Sequence, residues 1–392
     1  MKVAVVKETF PGERRVALVP ADAAKLIKSG LSVILEPGAG QSAGFPDSTY
    51  VEKGAVLAAN RAGAFSADIV LQVRSLGANL QAGRQDKPLI HSGQFVVGMC
   101  DPLGEPQAVA ELAPSGTTLF ALELVPRTTR AQAMDVLSSM TTLAGYRAVL
   151  LAAIELPKIF PLMMTAAGTL TAARVFVIGA GVAGLSAIAT AKRLGAVVRA
   201  YDVRPASREQ VESLGAKFVE LPLDTKQTET AGGYAQIQDE AFYQRQRDLM
   251  AEVVAESDVV IATAAIQGKP SPLLVTAEAV ARMQPGSVII DLAAERGGNC
   301  ALTKADERVV AHGVTILAPT NLPSDMPYHA SQMFSANVTA FLLNLVKNGQ
   351  VVLNCDDPII RETLVAYEGQ VVQPRLRELL GLSVLEQQTL ET

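Results

Sequence analysis

The run Arg174-Val175-Phe176-Val177-Ile178-Gly179-Ala180-Gly181-Val182-Ala183-Gly184 constrains the fold more than any other stretch, because a β-branched strand feeds straight into GxGxxG. The helix expected next, Leu185 to Leu194, stops at Gly195, and the strand after it, Val197 to Tyr201, ends on Asp202. Asp202 lies 18 positions beyond Gly184, close to the ~20 at which an acidic side chain meets the adenosine ribose of a dinucleotide. Each piece has its own physical reason. The glycines Gly179, Gly181 and Gly184 permit a tight turn and close approach around Ala180 and Val182, and the free amides of a helix N-terminus stabilise a pyrophosphate. A carboxylate at Asp202 takes ribose hydroxyls and repels a 2′-phosphate, which favours NAD(H) over NADP(H), while Arg204 two residues later works against that preference.

Further strands are expected at Asp258 to Thr263, Ser287 to Asp291 and Val314 to Leu317, separated by helix-length segments that complete the second half of a doubly wound sheet. Ligand groups gather at strand C-termini, so Thr263-Ala264-Ala265, Asp291 to Glu295 and Asn321-Leu322-Pro323 are cleft candidates or ordinary loop packing. Glu229 to Ala235 sets Gly232 and Gly233 beside Tyr234, which reads equally as a mobile flap or as a hairpin with a packing tyrosine. Asp239 to Glu256 reads as a polar-faced helix. A second glycine cluster, Gly38-Ala39-Gly40-Gln41-Ser42-Ala43-Gly44, also follows a strand, but its third glycine is one position late and Phe45-Pro46-Asp47 opposes a helix close behind it, so it reads as a loop.

Upstream, Lys2 to Val6, Ala21 to Ser29 and Leu31 to Glu36 alternate strand, helix and strand, and Asp68 to Val73, Gln94 to Met99 and Thr117 to Leu122 extend the pattern. The first ~125 residues therefore read as an open, mostly parallel sheet of their own. A polar stretch from Arg127 to Asp135 precedes an apolar helix expected from about Val136 to Leu156, which would link the domains. A length of 392 residues fits more than one domain. With 49% hydrophobic residues, 19% charged and a net charge of -5, disorder and nucleic-acid binding are both excluded as readings. Cys100, Cys300 and Cys355 stand far apart and only three histidines are present, so no metal site is expected. The N-terminus opens on a strand instead of a signal segment, which points to the cytoplasm. The apolar run Ala148 to Ile154 is ended by Glu155, Pro157 and Lys158, short of the ~20 residues a bilayer helix needs.

Longer motifs carry a family resemblance. Lys7-Glu8, Glu13-Arg14-Arg15-Val16-Ala17, Val125-Pro126-Arg127, Arg130-Ala131-Gln132, Asp135, Leu137-Ser138-Ser139 and Ala144-Gly145-Tyr146-Arg147 occupy the N-terminal stretch. Met164-Thr165-Ala166-Ala167-Gly168, Gly268-Lys269-Pro270 and Gly297-Gly298-Asn299-Cys300 continue the series. Over nearly its whole length the chain resembles the NAD(H)-binding component (alpha-1 subunit, domain I) of proton-translocating NAD(P) transhydrogenases, in the superfamily that includes alanine dehydrogenase.

The resemblance implies an α/β fold of two doubly wound Rossmann-like domains with mostly parallel sheets. The first, residues 1–137 and 326–392, is discontinuous; the second, 138–325, binds NAD(H). It implies that Arg127, Gln132, Asp135 and Ser138 form a loop over the nicotinamide end, with Gln132 bridging toward the partner nucleotide, where the residues alone suggest only a helix cap and a surface loop. It places further nucleotide contacts at Thr128, Thr129, Val182, Asp202, Val203, Arg204, Gly233, Gln246 and Ala265, and makes the Tyr234 segment a flap. It implies Re/Si-specific hydride transfer to NADP(H) held on a beta subunit, a homodimer, and attachment to the inner membrane only through partner subunits, one of them a small membrane subunit. Direct hydride transfer needs no proton at the reacting carbons, so positioning and water exclusion are the catalyst and the scarcity of histidine is consistent. Two rivals stand beside it. An alanine dehydrogenase-like enzyme would keep Arg15, but that family's lysine falls at Arg74, its histidine at about Cys100 and its aspartate at Glu295, which are poor replacements for proton transfer. The other is a protein that only senses NAD(H).

Overall fold

The computed structural model describes residues 1–222, 239–266 and 268–385. Its compact units are residues 1–140 with 324–392, and residues 141–323.

The first unit is built on an eight-stranded sheet. Six parallel strands, β1 (Lys2–Val5), β2 (Ser32–Leu35), β3 (Val56–Leu57), β4 (Ile69–Arg74), β5 (Phe95–Met99) and β6 (Thr118–Ala121), run in the order β6-β5-β4-β1-β2-β3. Buried residues on successive positions of β1, β4 and β6 show a sheet covered on both faces, which is why these strands are apolar without alternation. The chain returns at the end to finish it: Leu364–Tyr367 pairs antiparallel with β6, and Gln370–Val371 pairs with that strand. Helix α1 (Pro20–Lys28) is met from the returning chain by a long helix, Pro327–Leu345, whose Ser335 hydroxyl accepts from the Val19 amide at 2.9 Å and donates to Asp22 at 2.6 Å. Gly38 to Gly44 contains a 3₁₀ turn, Gln41–Ala43, and is a loop as expected; a short helix does start at Asp47, directly after Pro46, whose extended backbone suits a position before the first turn.

The second unit carries seven strands. These are β7 (Arg174–Ile178), β8 (Val197–Tyr201), β9 (Lys217–Phe218), β10 (Val259–Ala262), β11 (Val288–Asp291), β12 (Arg308–Ala311) and β13 (Val314–Leu317), in the order β9-β8-β7-β10-β11-β13-β12. All pairs are parallel except β12 with β13. That antiparallel edge strand is an addition to the strands expected from the sequence. His312 and Gly313 both have positive φ, 52° and 77°, the two-residue turn that suits a tight hairpin. The sheet reverses direction of winding between β7 and β10, the switch point at which doubly wound folds open a crevice.

Helix α2 (Val136–Glu155) is the one helix among the described residues long and apolar enough by length and composition to cross a membrane, longer than the apolar run alone suggested. Ala148, Val149 and Ala152 instead lie in the core of the second unit with Val175, Val177 and Ala187. Gly145 lets it approach closely: a Cβ there would meet the Ala183 carbonyl oxygen at 2.1 Å.

Candidate functional site

Gly179 leaves β7 with φ 94°, a conformation only glycine adopts without strain, and a Cβ on it would meet Thr263 Oγ1 at 2.6 Å. A Cβ on Gly184 would stand 1.8 Å from the Gly179 carbonyl oxygen, so this glycine is what allows helix α3 (Val182–Arg193) to pack on the turn. Gly181 differs from both. It precedes α3 with φ -74°, no side chain caps the helix there, and a Cβ on it would meet nothing within 4 Å. Open space in front of uncapped helix amides is what an anionic group requires.

Asp202 follows β8 and is buried. Its carboxylate accepts from Ala180 N at 2.7 Å and Arg204 N at 2.8 Å, tying the acid to the fingerprint turn. The Arg204 guanidinium also reaches it, from Nε to Oδ1 and from Nη2 to Oδ2, both at 2.9 Å. Val203 is half-buried between them. Beside this end of β8, Gln246 on the helix Glu240–Ala255 is buried and donates from Nε2 to the Tyr201 hydroxyl at 3.0 Å, while its Oε1 has no hydrogen-bond partner among the described residues. Burial pushes the Tyr201 hydroxyl up to about 12.

At the end of β10, Thr263 Oγ1 donates toward the Ile178 and Gly179 carbonyls, 3.1 Å from each. Ala264 is held through its backbone by Asn299, and Ala265 is exposed. Asp291 at the end of β11 is fully buried and accepts from Asn299 N, Cys300 N and Thr303 Oγ1. Asn299 stands in the sequence only as a member of a longer motif; its role is hidden there because its partners lie 27 and 35 positions away. The structure thus gathers Gly179, Ala180, Gly181, Val182, Gly184, Asp202, Val203, Arg204, Thr263 and Ala264 at the C-terminal edge of one sheet. Gly233 and Tyr234 lie outside the described residues.

Arg127 to Ser138 belong to the first unit. Thr129–Met134 forms a 3₁₀ helix, and the exposed Arg127, Thr128, Thr129 and Gln132 lie on or next to it. Asp135 caps α2: its carboxylate accepts from Ser138 N at 2.8 Å and from Ser138 Oγ at 2.6 Å. The segment is braced by Asn337, whose Nδ2 donates to the Ala133 carbonyl at 2.8 Å, and by the ion pair of Arg130 with Asp357.

The positions that would serve an amino-acid substrate are committed elsewhere. Arg15 is buried and grips both oxygens of Glu13 at 2.7 Å, and Arg74 Nε reaches Glu13 at 3.3 Å with its guanidinium over the Phe10 ring. Burial pushes the Glu13 carboxyl upward, but Arg15 and Arg74 outweigh it and hold it at about 2. Burial, with Glu123 and Asp101 nearby, raises the Cys100 thiol well above its usual range.

Family models described as "Alanine dehydrogenase/PNT" match the chain over residues 4–144 for the N-terminal domain and 148–374 for the C-terminal domain. The chain belongs to the alanine dehydrogenase/PNT family. Within that family, an NAD(P) transhydrogenase subunit alpha chain of Rhodospirillum rubrum is 46% identical, over 96% of this chain and 99% of its own. The solved structure of transhydrogenase from Sinorhizobium meliloti matches with a TM-score of 0.82 at 41% identity, covering 95% of this chain and 99% of that one. Alanine dehydrogenase of Halomonas elongata is 28% identical over 98% of both chains. The alanine dehydrogenase/PNT fold of this chain is therefore accompanied by its greater similarity to the transhydrogenase branch.

Proposed function

We propose that this chain is the NAD(H)-binding subunit of a proton-translocating transhydrogenase. The carrying observation is the open, uncapped N-terminus of α3 at Gly181 beside a buried Asp202. Those residues fit a dinucleotide: the α3 amides face its pyrophosphate, Asp202 its adenosine ribose, and Thr263, Ala264 and Ala265 its nicotinamide half. NAD(H), when bound, supplies a hydride donor or acceptor at the nicotinamide ring. The chain's role is to bind, orient and exclude water, which needs no general base.

By resemblance, Arg127, Thr128, Thr129, Gln132, Asp135 and Ser138 serve the nicotinamide end, with Gln132 directed to the partner's nucleotide. Asp135 and Ser138, each holding the other, present a fixed polar pair at the start of α2. NADP(H) belongs to a beta subunit and proton translocation to membrane subunits, through which this chain is held at the inner membrane from the cytoplasmic side. The proposal includes a homodimer; exposed Leu162, Met163, Met164 and Leu170 around the hairpin Met163–Thr165 and Gly168–Leu170 offer apolar surface for one. The neutralised Glu13–Arg15–Arg74 group and the buried Cys100 weigh against amino-acid oxidation.

The test is fluorescence titration with NADH and NADPH, followed by hydride transfer after adding an NADP(H)-binding transhydrogenase component and, separately, by alanine with NAD. Selective NADH binding with partner-dependent transfer is expected. Alanine-dependent NADH formation without a partner would overturn the proposal in favour of a dehydrogenase, and NADH binding with no transfer to an active partner would leave only a sensor.

A further inference from the structure

Asn299 is fully buried and spends its whole side-chain amide on backbone. Its Oδ1 accepts from Ala264 N at 3.0 Å, and its Nδ2 donates to Ala264 O at 2.9 Å and to Pro272 O at 2.8 Å. A side chain that binds both the N–H and the C=O of one residue fixes that peptide's orientation as a neighbouring strand would. Yet Ala264 lies two residues past the end of β10, where the ladder has stopped.

Asn299 is itself held from behind. Asp291, fully buried at the end of β11, accepts from Asn299 N at 2.7 Å, Cys300 N at 3.0 Å and Thr303 Oγ1 at 2.6 Å through one oxygen, and from Ala293 N at 3.0 Å through the other. Gly297 and Gly298 turn the loop with φ 96° and 84°. The Asn299 carbonyl accepts from Leu274 N and Val275 N, both at 2.9 Å. The held peptide borders the fingerprint: a Cβ on Gly179 would come within 3.2 Å of Ala264 N.

We infer that Asn299 is a positioning residue that sets the β10 edge, Ala264 and Ala265, against the nicotinamide half of the dinucleotide, acting through Ala264 and held by Asp291 and Thr303. This rests on the proposed NAD(H) site. The direction follows from the sheet order: the adenosine half goes to β8 and Asp202, and the other half crosses the switch point toward β10 and β11. The hydrogen-bond partners of Asn299 named above all lie away from the β8 side.

The prediction is a split between ligands. NADH and ADP-ribose, which lacks the nicotinamide ring, are titrated against the full chain and against Asn299→Ala and Thr303→Val variants, with folding checked by circular dichroism. Asn299→Ala is expected to weaken NADH about tenfold while ADP-ribose changes less than about twofold, and Thr303→Val to weaken NADH less, in the same direction. If Asn299→Ala does not fold, Thr303→Val alone decides by the same selectivity. Equal weakening of both ligands, or of neither, in a folded variant overturns the inference. A wild-type chain that binds neither ligand overturns the NAD(H) site itself, a distinguishable failure.

Discussion

Arg204 lies across Asp202, its Nε and Nη2 each 2.9 Å from a different carboxylate oxygen. The acid that would repel a 2′-phosphate is thus partly compensated by a cation two residues away. Removing that cation exposes the full carboxylate charge. Arg204→Ala is expected to weaken NADPH binding by about tenfold, ~1.4 kcal/mol, and to change NADH binding far less. Parallel titrations with the two nucleotides check it; equal losses would mean that Arg204 contacts a portion the two share.

The three fingerprint glycines are expected to fail differently. A methyl at Gly184 meets backbone, the Gly179 carbonyl, and cannot be relieved by a side-chain rotation. Gly184→Ala should therefore cost about 1–3 kcal/mol in urea unfolding as well as NADH binding. Gly181→Ala meets empty space at a φ of -74°, so stability should hold or rise by up to ~1 kcal/mol. NADH affinity should nonetheless fall about tenfold, because the methyl enters the space proposed for the pyrophosphate.

Glu123 supplies a pH test in the first unit. Its Oε1 accepts from Cys100 N at 2.8 Å and Asp101 N at 2.5 Å, but burial, helped by the charge of Asp101, outweighs those bonds and raises its carboxyl from 4.5 to about 7. The folded state therefore holds a proton that the unfolded chain releases near 4.5, so stability is full below 4.5 and is lost as pH rises to about 7. Glu123→Gln mimics the protonated form and keeps an oxygen for both amides. The stability of wild type minus variant should fall across that window, by on the order of 3 kcal/mol, and then level off. Urea midpoints at several pH values read it; a flat difference would mean that Glu123 is ionised throughout.

Local spacing in the sequence determined the nucleotide half closely. The strands Arg174–Ile178, Val197–Tyr201 and Val314–Leu317 match their expected bounds, because β-branched runs closed by glycine or an acid leave few alternatives. The same spacing made Asp202 a site candidate. Tertiary structure alone decided what each group spends its charge on. The Asp202–Arg204 pairing, the grip of Asn299 on Ala264 and the burial of Glu123 all depend on how loops close, and the antiparallel strand Leu364–Tyr367 joins β6 from far along the chain. Periodicity and turn chemistry act over a few residues and are written in order along the chain. Hydrogen bonds between positions 35 apart, as in Asn299 and Ala264, exist only once the sheet has brought two strand ends together.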